Sequence, residues 1–187
     1  MASLFASTKN TRPLPGCGLR FIRSDAPLQL TEEEMRWLQD NDVRTVVDLR
    51  SEEETESRPC PLRQREGFVY HHLPVTGGGG TPKSRTHLHQ VYAGMLDTQM
   101  ERIQRTLLEA KTNALFFCTA GKDRTGVVAA LLLKKLGTDE KTIVEDYMLS
   151  GENLREMLED YAAAHPEAGL EIIMPREENI LNILRLI

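Results

Sequence analysis

Several stretches of the chain repeat apolar residues at the three- and four-residue spacing of an amphipathic helix. In TEEEMRWLQDND, Thr31 and Glu34 have the spacing of a capping box, and the apolar Met35 and Leu38 share a face. Residues 86–111 carry the same periodicity, as one or two helices. The residues expected to face inward there are Val91, Met95, Ile103, Leu107 and Leu108. These stretches predict helices that pack one face against a core.

Three short apolar stretches predict strands. Val43 to Leu49 is rich in β-branched residues, and GFVYHHLPV is a second candidate that ends at Pro74. The third, NALFFC, contains four consecutive apolar residues, Ala114 to Phe117, without alternation. Such a stretch fits a strand that is covered on both faces, which is typical of a mostly parallel sheet.

The last third of the chain predicts more helices. TGVVAALLLKKLG is apolar over several turns and stops at Gly137, as a buried helix with a glycine C-terminal signal would. Helices are expected at about residues 139–149 and 153–164, and PREENILNILRLI predicts a last one. Strands separated by helices predict an α/β fold, with a central mostly parallel sheet flanked by helices, in a single domain over residues 1–187. Ligands of such sheets bind at the carboxyl ends of the strands.

Charge and composition narrow the range of functions. The chain has 28 acidic and 23 basic residues, a net charge of -5, and no long run of either sign. Bulk attraction to nucleic acid or to an anionic membrane is not indicated, so an anionic ligand must be held locally. No stretch has the apolar length of a signal peptide or of a membrane-spanning helix. Non-classical export stays open.

The three cysteines, Cys17, Cys60 and Cys118, are too few and too scattered for a disulfide framework. They also lack the paired spacing of a zinc site. A reduced, cytoplasmic setting fits this pattern best, with Cys17 and Cys60 as inert, partly buried thiols.

The stretch FCTAGKDRTG, residues 117–126, joins the third predicted strand to the apolar helix. A nucleotide-binding loop would need Ser or Thr directly after Gly121-Lys122, but Asp123 stands there. The other candidate, GGGGTPKS at residues 77–84, has Pro82 where a glycine is needed, and proline offers no N–H to a phosphate. Neither stretch is therefore a nucleotide-binding loop.

Cys118, five further residues and Arg124 instead form a pattern suited to thiolate chemistry on a phosphate. A thiolate that attacks phosphorus must lie at the floor of a cup that also binds the non-bridging oxygens. The following helix adds its positive end, and Arg124 closes the cup with a planar guanidinium fork. Thr125 can donate its hydroxyl to the sulfur as the thiolate departs. Five residues are enough to wrap backbone amides around the oxygens: Thr119, Ala120, Gly121, Lys122 and Asp123.

This environment is expected to favour the thiolate form of Cys118 at neutral pH, because helix N-termini and cations stabilise thiolates. The chemistry requires no metal and no cofactor. His71 and His72 could suggest a metal site, but neighbouring residues of a strand point to opposite faces and cannot chelate one ion together.

The loop CTAGKDRTG resembles the signature of the cysteine-dependent protein tyrosine phosphatase superfamily, and more closely that of bacterial tyrosine phosphatases with an Ala-Gly-Lys-Asp-Arg-Thr-Gly loop. Upstream, Arg23-Ser24 is shared with that group. Asp48, Arg50 and Glu54 match its Asp-Leu-Arg-x-x-x-Glu element. The resemblance covers roughly residues 10–150 and implies a tyrosine-phosphatase-like fold of dual-specificity size. It also implies hydrolysis of phosphomonoesters through a cysteinyl-phosphate. Phe117 stands where the family usually has histidine.

The general acid that protonates the leaving group is open among three aspartates. The resemblance implies Asp123, inside the loop, as the first choice. Asp48, at the carboxyl end of its strand, is the second, and Asp97 is the third. Asp48 and Arg50 are better interpreted as a structural ion pair behind the site than as substrate ligands.

Several partners are compatible with this reading. Phosphotyrosine proteins lead, with or without dual specificity. Lys122 adds a cation that in related phosphatases accompanies inositol headgroups, so phosphoinositides or inositol phosphates are the alternative; a solvent-facing lysine is the plain interpretation. An inactive phosphate-binding module ranks last, because Cys118 and Arg124 are both present. The glycine run at 77–80, with Lys83 and Arg85, is expected to form a rim loop.

Overall fold

The computed structural model describes residues 3–76, 84–166 and 169–187. The expected rim loop at 77–80 and Lys83 therefore lie outside the described residues. Within the described ranges, no helix combines the length and the apolar character that crossing a membrane would require. The elements follow in chain order: β1 (Arg12–Pro13), β2 (Phe21–Ser24), α1 (Glu32–Asp40), β3 (Val43–Asp48), α2 (Glu52–Ser57), a 3₁₀ turn (Pro61–Gln64), β4 (Val69–His72), α3 (Arg85–Gly94), α4 (Thr98–Glu109), β5 (Asn113–Phe117), α5 (Arg124–Lys135), α6 (Glu140–Asn153), α7 (Arg155–Ala164), α8 (Leu170–Ile173) and α9 (Glu177–Leu184).

The strands form one sheet in the order β1-β2-β5-β3-β4. Every neighbouring pair is parallel except β1 with β2. This topology confirms the predicted α/β class with a mostly parallel sheet. The last residue of the central strand, Phe117, is in register with Ser24 of β2 and Asp48 of β3. The loops that follow these three strands therefore leave the sheet at the same edge.

The two faces of the sheet are both covered, which explains the unbroken apolar run of β5. Phe116 packs with α5 and the other helices of one face, whereas Leu115 and Phe117 pack with α1 on the opposite face. Helix α5 is buried along the ten residues from Arg124 to Leu133. A helix buried this completely is held firmly against the sheet, and so is the loop that precedes it.

Most of the predicted elements are present. The capping box of Thr31 and Glu34 begins α1 as predicted. The periodic region 86–111 is two helices, α3 and α4, and α5 ends before Gly137, whose φ is +81°. Of the expected inward residues, three are fully buried and Val91 and Leu108 are partly buried: the fully buried ones are Met95, Ile103 and Leu107.

Some elements were not predicted from the sequence. β2 has the sequence FIRS, and all four of its residues are buried. Its charged arginine interrupts the apolar pattern by which a buried strand is recognised. α2 and α8 span only six and four residues, too short for an apolar period to show. A signal for α2 was nevertheless present, because Ser51 and Glu54 form a capping box.

Two leucines of the α5 region provide a matched test of this packing. Leu132 is fully buried, whereas Leu136, one turn later, is 47% exposed. We expect Leu132→Ala to lower the free energy of unfolding by about 2–5 kcal/mol, because the lost methyl groups leave a cavity in the core. The same change at Leu136 should cost less than about 1 kcal/mol. Urea unfolding of both variants measures the difference, and equal losses would contradict the packing described for α5.

Candidate active site

Cys118 directly follows the central strand and is 2% exposed. Residues 119–123 form the loop between this cysteine and Arg124, the first residue of α5. The structure thus places the cysteine at the carboxyl end of a parallel strand and the arginine at a helix N-terminus. Both positions are those at which α/β proteins bind anions.

The backbone of this loop is anchored from outside. No hydrogen-bond acceptor for the amides of residues 119–123 occurs among the residues that the structure describes. With the carbonyls turned toward the scaffold, these amides are left for an anion. The carbonyl oxygens of three loop residues accept hydrogen bonds from elsewhere in the chain: Thr119 from the amide of Ala26 (3.1 Å), Ala120 from Asn10 Nδ2 (3.3 Å), and Gly121 from Asn10 Nδ2 (3.0 Å) and Arg23 Nη2 (2.8 Å).

Two glycines allow the loop to fit. Gly121 has a φ of +66°, and a Cβ there would lie 2.3 Å from the carbonyl oxygen of Ser24. No other residue can take this position without moving the backbone. Gly126 is in α5, where a Cβ would lie 3.0 Å from the ring of Tyr147. Because glycine has no Cβ, Tyr147 can pack directly against α5, the helix that carries Arg124.

A buried charge cluster holds the anchoring arginine. Asp146 of α6 accepts hydrogen bonds from Arg12 Nε (2.9 Å) and Arg23 Nη1 (2.5 Å), and all three side chains are at most 2% exposed. Burial opposes the charge of Asp146, but the two arginines outweigh it and lower the pKa of this carboxyl. Burial and the adjacent Arg23 lower the pKa of Arg12 to about 10, so Arg12 stays charged at neutral pH. The hydrogen bond from Arg23 to Gly121 therefore depends on Asp146.

Arg124 is paired with Glu54 of α2. Its Nη1 donates to Glu54 Oε2 (2.5 Å), and its Nη2 donates to Glu54 Oε1 (2.8 Å) and to Thr119 Oγ1 (3.3 Å). Burial opposes the charge of Arg124, yet the Glu54 hydrogen bonds and the nearby Cys118 raise its pKa. The same Arg124 hydrogen bonds lower the pKa of Glu54. An arginine has five N–H bonds, so two remain for an oxyanion after these three.

Asp48 and Arg50 form a buried ion pair beside the site. Arg50 Nη2 lies 2.6 Å from Asp48 Oδ2, and Tyr70 also donates to that carboxylate. The remaining N–H bonds of Arg50 include one to the carbonyl of Arg58 at 2.8 Å. Asp97, the third candidate acid, caps α4 by accepting from the amide of Met100. Both carboxylates thus serve the fold in this structure.

Asp123 lies in the loop itself and has an accessible carboxyl, since its side chain is 31% exposed. The hydroxyl of Tyr92 donates to its Oδ1, and Lys122 Nζ lies 3.4 Å from its Oδ2. Lys122 itself is buried, and its ammonium donates to the carbonyl of Ile173. The plain interpretation of Lys122 as a solvent-facing residue is therefore wrong.

The remaining residues near the loop differ in part from the expectation. Thr125 is buried, and its Oγ1 has no partner in the described part of the chain, so the predicted hydrogen bond to Cys118 is not formed. Phe117 is buried, with the Arg50 guanidinium 5.5 Å from its ring centre. All three cysteines are free, and burial raises the pKa of Cys60 to about 12, as expected of an unreactive thiol.

A cleft of about 370 Å³ opens beside the loop, lined in part by Thr119 and Glu54. The basic Lys9 and Arg58 also line it, which gives an anionic substrate a favourable approach. Asp25, which directly follows β2, also lines this cleft and was not among the predicted acids. Burial raises its pKa, although the amides of Lys9 and Asn10 donate to it.

Sequence reasoning did not single out the residues that hold the loop from behind: Asn10, Arg12, Asp146 and Ser150. Their partners are far away in the chain: Asn10 and Ser150, for example, are 140 positions apart and form a 3.2 Å hydrogen bond. The sequence contained only a weak signal for these contacts. Arg23-Ser24 and Glu54 entered only through the family resemblance, without assigned contacts.

This geometry agrees with the comparison to known proteins. Residues 17–186 match the model of the tyrosine phosphatase family. The chain therefore belongs to the tyrosine phosphatase family, as its loop indicated.

The chain is also similar to individual proteins. The chain is 29% identical over 144 residues to a tyrosine-protein phosphatase of Nostoc commune, covering 72% of this chain and 49% of that protein. It is 46% identical over 52 residues to the triple specificity protein phosphatase PtpB of Mycobacterium tuberculosis, covering 28% of this chain and 19% of that one. The chain thus spans about half the length, or less, of these two relatives. The structure of P. aeruginosa TpbA in complex with pTyr is similar with a TM-score of 0.46 and 16% identity, covering 95% of this chain and 89% of that one.

The charge cluster generates a test of stability. We expect Asp146→Asn to lower the free energy of unfolding by about 3–5 kcal/mol, because it leaves two buried guanidinium groups without a counter-charge. The matched control is Glu32→Gln, which breaks an exposed ion pair with Arg65 and should cost less than about 1 kcal/mol. Chemical unfolding at neutral pH measures both, and a small effect at Asp146 would contradict its assigned role.

The loss of stability in Asp146→Asn is expected to depend on pH. Because the folded-state pKa of Asp146 is lowered, its stabilising contribution is complete above its ordinary value of about 3.9 and is lost as pH falls through the lower folded value. The stability gap between the native chain and Asp146→Asn should therefore be constant near neutral pH and narrow only in strong acid.

Proposed function

We propose that the chain hydrolyses phosphotyrosine in proteins through a cysteinyl-phosphate intermediate. One observation carries the proposal: the loop after Cys118 turns three carbonyls outward to fixed donors and leaves its amides, with Arg124, for a tetrahedral anion. Membership of the tyrosine phosphatase family supports it.

The proposed reaction has two steps. In the first, the Cys118 thiolate attacks phosphorus, an S–P bond forms, and the P–O bond to tyrosine breaks while Asp123 gives its proton to the departing phenolate oxygen. In the second, water attacks phosphorus, Asp123 takes a proton from that water, and the S–P bond breaks to release phosphate and the thiolate. The loop amides and Arg124 stabilise the charge on the equatorial oxygens in both steps.

Arg124 can do this because Glu54 fixes its orientation in advance. A guanidinium held by two hydrogen bonds loses little further freedom when an oxyanion binds its remaining N–H groups. Glu54 is thus proposed as a positioning residue for Arg124.

The choice of phosphotyrosine over phosphoinositides rests on Lys122. The alternative substrate class depended on a cation free at the mouth, but the Lys122 ammonium is engaged with Ile173 and buried. Lys122 therefore gives no support to an inositol headgroup as the substrate. Parallel assays on phosphotyrosine peptides and on phosphoinositide vesicles measure this preference.

The nucleophile provides the first test of activity. We expect Cys118→Ser to abolish hydrolysis of p-nitrophenyl phosphate and of a phosphotyrosine peptide, because the hydroxyl is not ionised at neutral pH. Vanadate should inhibit the native chain, and vanadate binding by Cys118→Ser with tryptophan fluorescence checks that the loop is intact. A native chain that binds phosphotyrosine without turnover would instead support an inactive phosphate-binding module.

The proposed acid is tested by its dependence on the leaving group. Asp123→Asn should reduce kcat by about 100-fold or more for phenyl phosphate, whose leaving group needs a proton, and much less for p-nitrophenyl phosphate. Asp25→Asn is the comparison variant, because Asp25 lines the cleft beside the loop and burial raises its pKa. If only Asp25→Asn shows this selectivity, the acid role passes to Asp25.

A further inference from the structure

A line of hydrogen bonds connects three helices, α3, α6 and α9, to Asp123. The Tyr92 hydroxyl of α3 donates to Asp123 Oδ1 and lies 2.9 Å from the Tyr147 hydroxyl of α6. Asn179 of α9 donates from Nδ2 to the Tyr147 hydroxyl at 3.3 Å. Its Oδ1 lies 3.1 Å from His89 Nε2. The line therefore ends at the one loop carboxyl that the proposed mechanism uses.

The donors in this line all point toward Asp123. A tyrosine hydroxyl has one hydrogen, so when Tyr92 donates to Asp123 it can only accept from Tyr147. At the other end, Asn182 Nδ2 donates to His89 Nδ1 at 3.1 Å, which leaves the proton on His89 Nε2 for Asn179. Each group thus fixes the orientation of the next.

Tyr92 is suited to hold a carboxylate without reacting. Its side chain is fully buried, and burial together with the nearby Asp123 raises the pKa of its hydroxyl well above the ordinary value. The hydroxyl therefore keeps its proton and remains a donor at neutral pH.

Asp123 depends on this contact for its position. Although it precedes α5, its side chain makes no capping hydrogen bond to that helix in the described structure. Among the residues that the structure describes, its second oxygen has only the Lys122 ammonium nearby, at 3.4 Å. The short hydrogen bond from the Tyr92 hydroxyl is thus the contact that orients the Asp123 carboxyl.

We propose that Tyr92 is a positioning residue that holds the Asp123 carboxyl in place for proton transfer to the leaving group and from the attacking water. The inference rests on the proposed function, in which Asp123 is the acid and base. Tyr92 transfers no proton itself. Tyr147 and Asn179 act through Tyr92 by fixing the direction of its hydroxyl.

The test is Tyr92→Phe, which removes the hydroxyl and keeps the buried ring. We expect kcat for phenyl phosphate to fall by about 10-fold or more, kcat for p-nitrophenyl phosphate to change less than about 3-fold, and KM to stay similar for both. Such a split follows from misplaced acid catalysis, because only the poor leaving group needs the proton. A structural role would lower both rates together.

A control, a second variant and a double variant complete the design. Tyr161→Phe, at an exposed tyrosine of α7, should leave the ratio of the two rates unchanged. Tyr147→Phe should shift the ratio in the same direction by a smaller factor, and it carries the test if Tyr92→Phe does not fold. In the background of Asp123→Asn, Tyr92→Phe should cause no further selective loss.

The outcomes separate the two proposals. Turnover that survives in Cys118→Ser would overturn the proposed function, and the role of Tyr92 with it. If turnover requires Cys118 but Tyr92→Phe lowers both substrates equally, or still acts selectively in the absence of the Asp123 carboxyl, only the role of Tyr92 is overturned.

Discussion

The carbonyl oxygen of Gly121 is the point on which the site depends. Arg23 and Asn10 both donate to it, and a fully buried guanidinium can do so only because Asp146 balances its charge. Because the Gly121 carbonyl points to Asn10 and Arg23, away from the centre of the loop, the neighbouring amides point toward that centre. The direction of the loop amides is thus determined by a salt bridge that lies behind the loop.

The site is therefore supported from two directions. Behind the loop, the buried Asp146 cluster fixes the backbone, and in front Glu54 fixes the guanidinium of Arg124. The central position of β5 makes both possible, because the ends of β2 and β3 are in register with its last residue. The residues after these strands then reach the loop after β5 from either side. Preorganisation of this kind lets a site bind a transition state with little reorganisation.

Local sequence was informative wherever the chemistry is contiguous. Cys118 to Arg124 could be interpreted as one cup because a strand, five residues and a helix N-terminus are neighbours in the chain. The strand β5, the helix α5 and the capping box of α1 were predicted for the same reason. Lys122 shows the limit. Its position beside Gly121 suggested a cation at the mouth, but α8, some fifty residues later, covers it and supplies the carbonyl of Ile173 that binds its ammonium.

The sequence by itself determined the class of fold and the family, and it singled out the loop of the proposed active site, because hydrophobic periodicity and a contiguous motif depend on near neighbours. Only the tertiary structure decided which groups hold that loop and orient its side chains. Tens of residues separate the loop from these groups, which are Asn10, Asp146, Tyr92 and Asn179. The sequence does not indicate which distant group a polar side chain will bind. Their pairing follows from the burial of α5 and α6 against the sheet, where each polar group must find a partner or lose the free energy of its hydration.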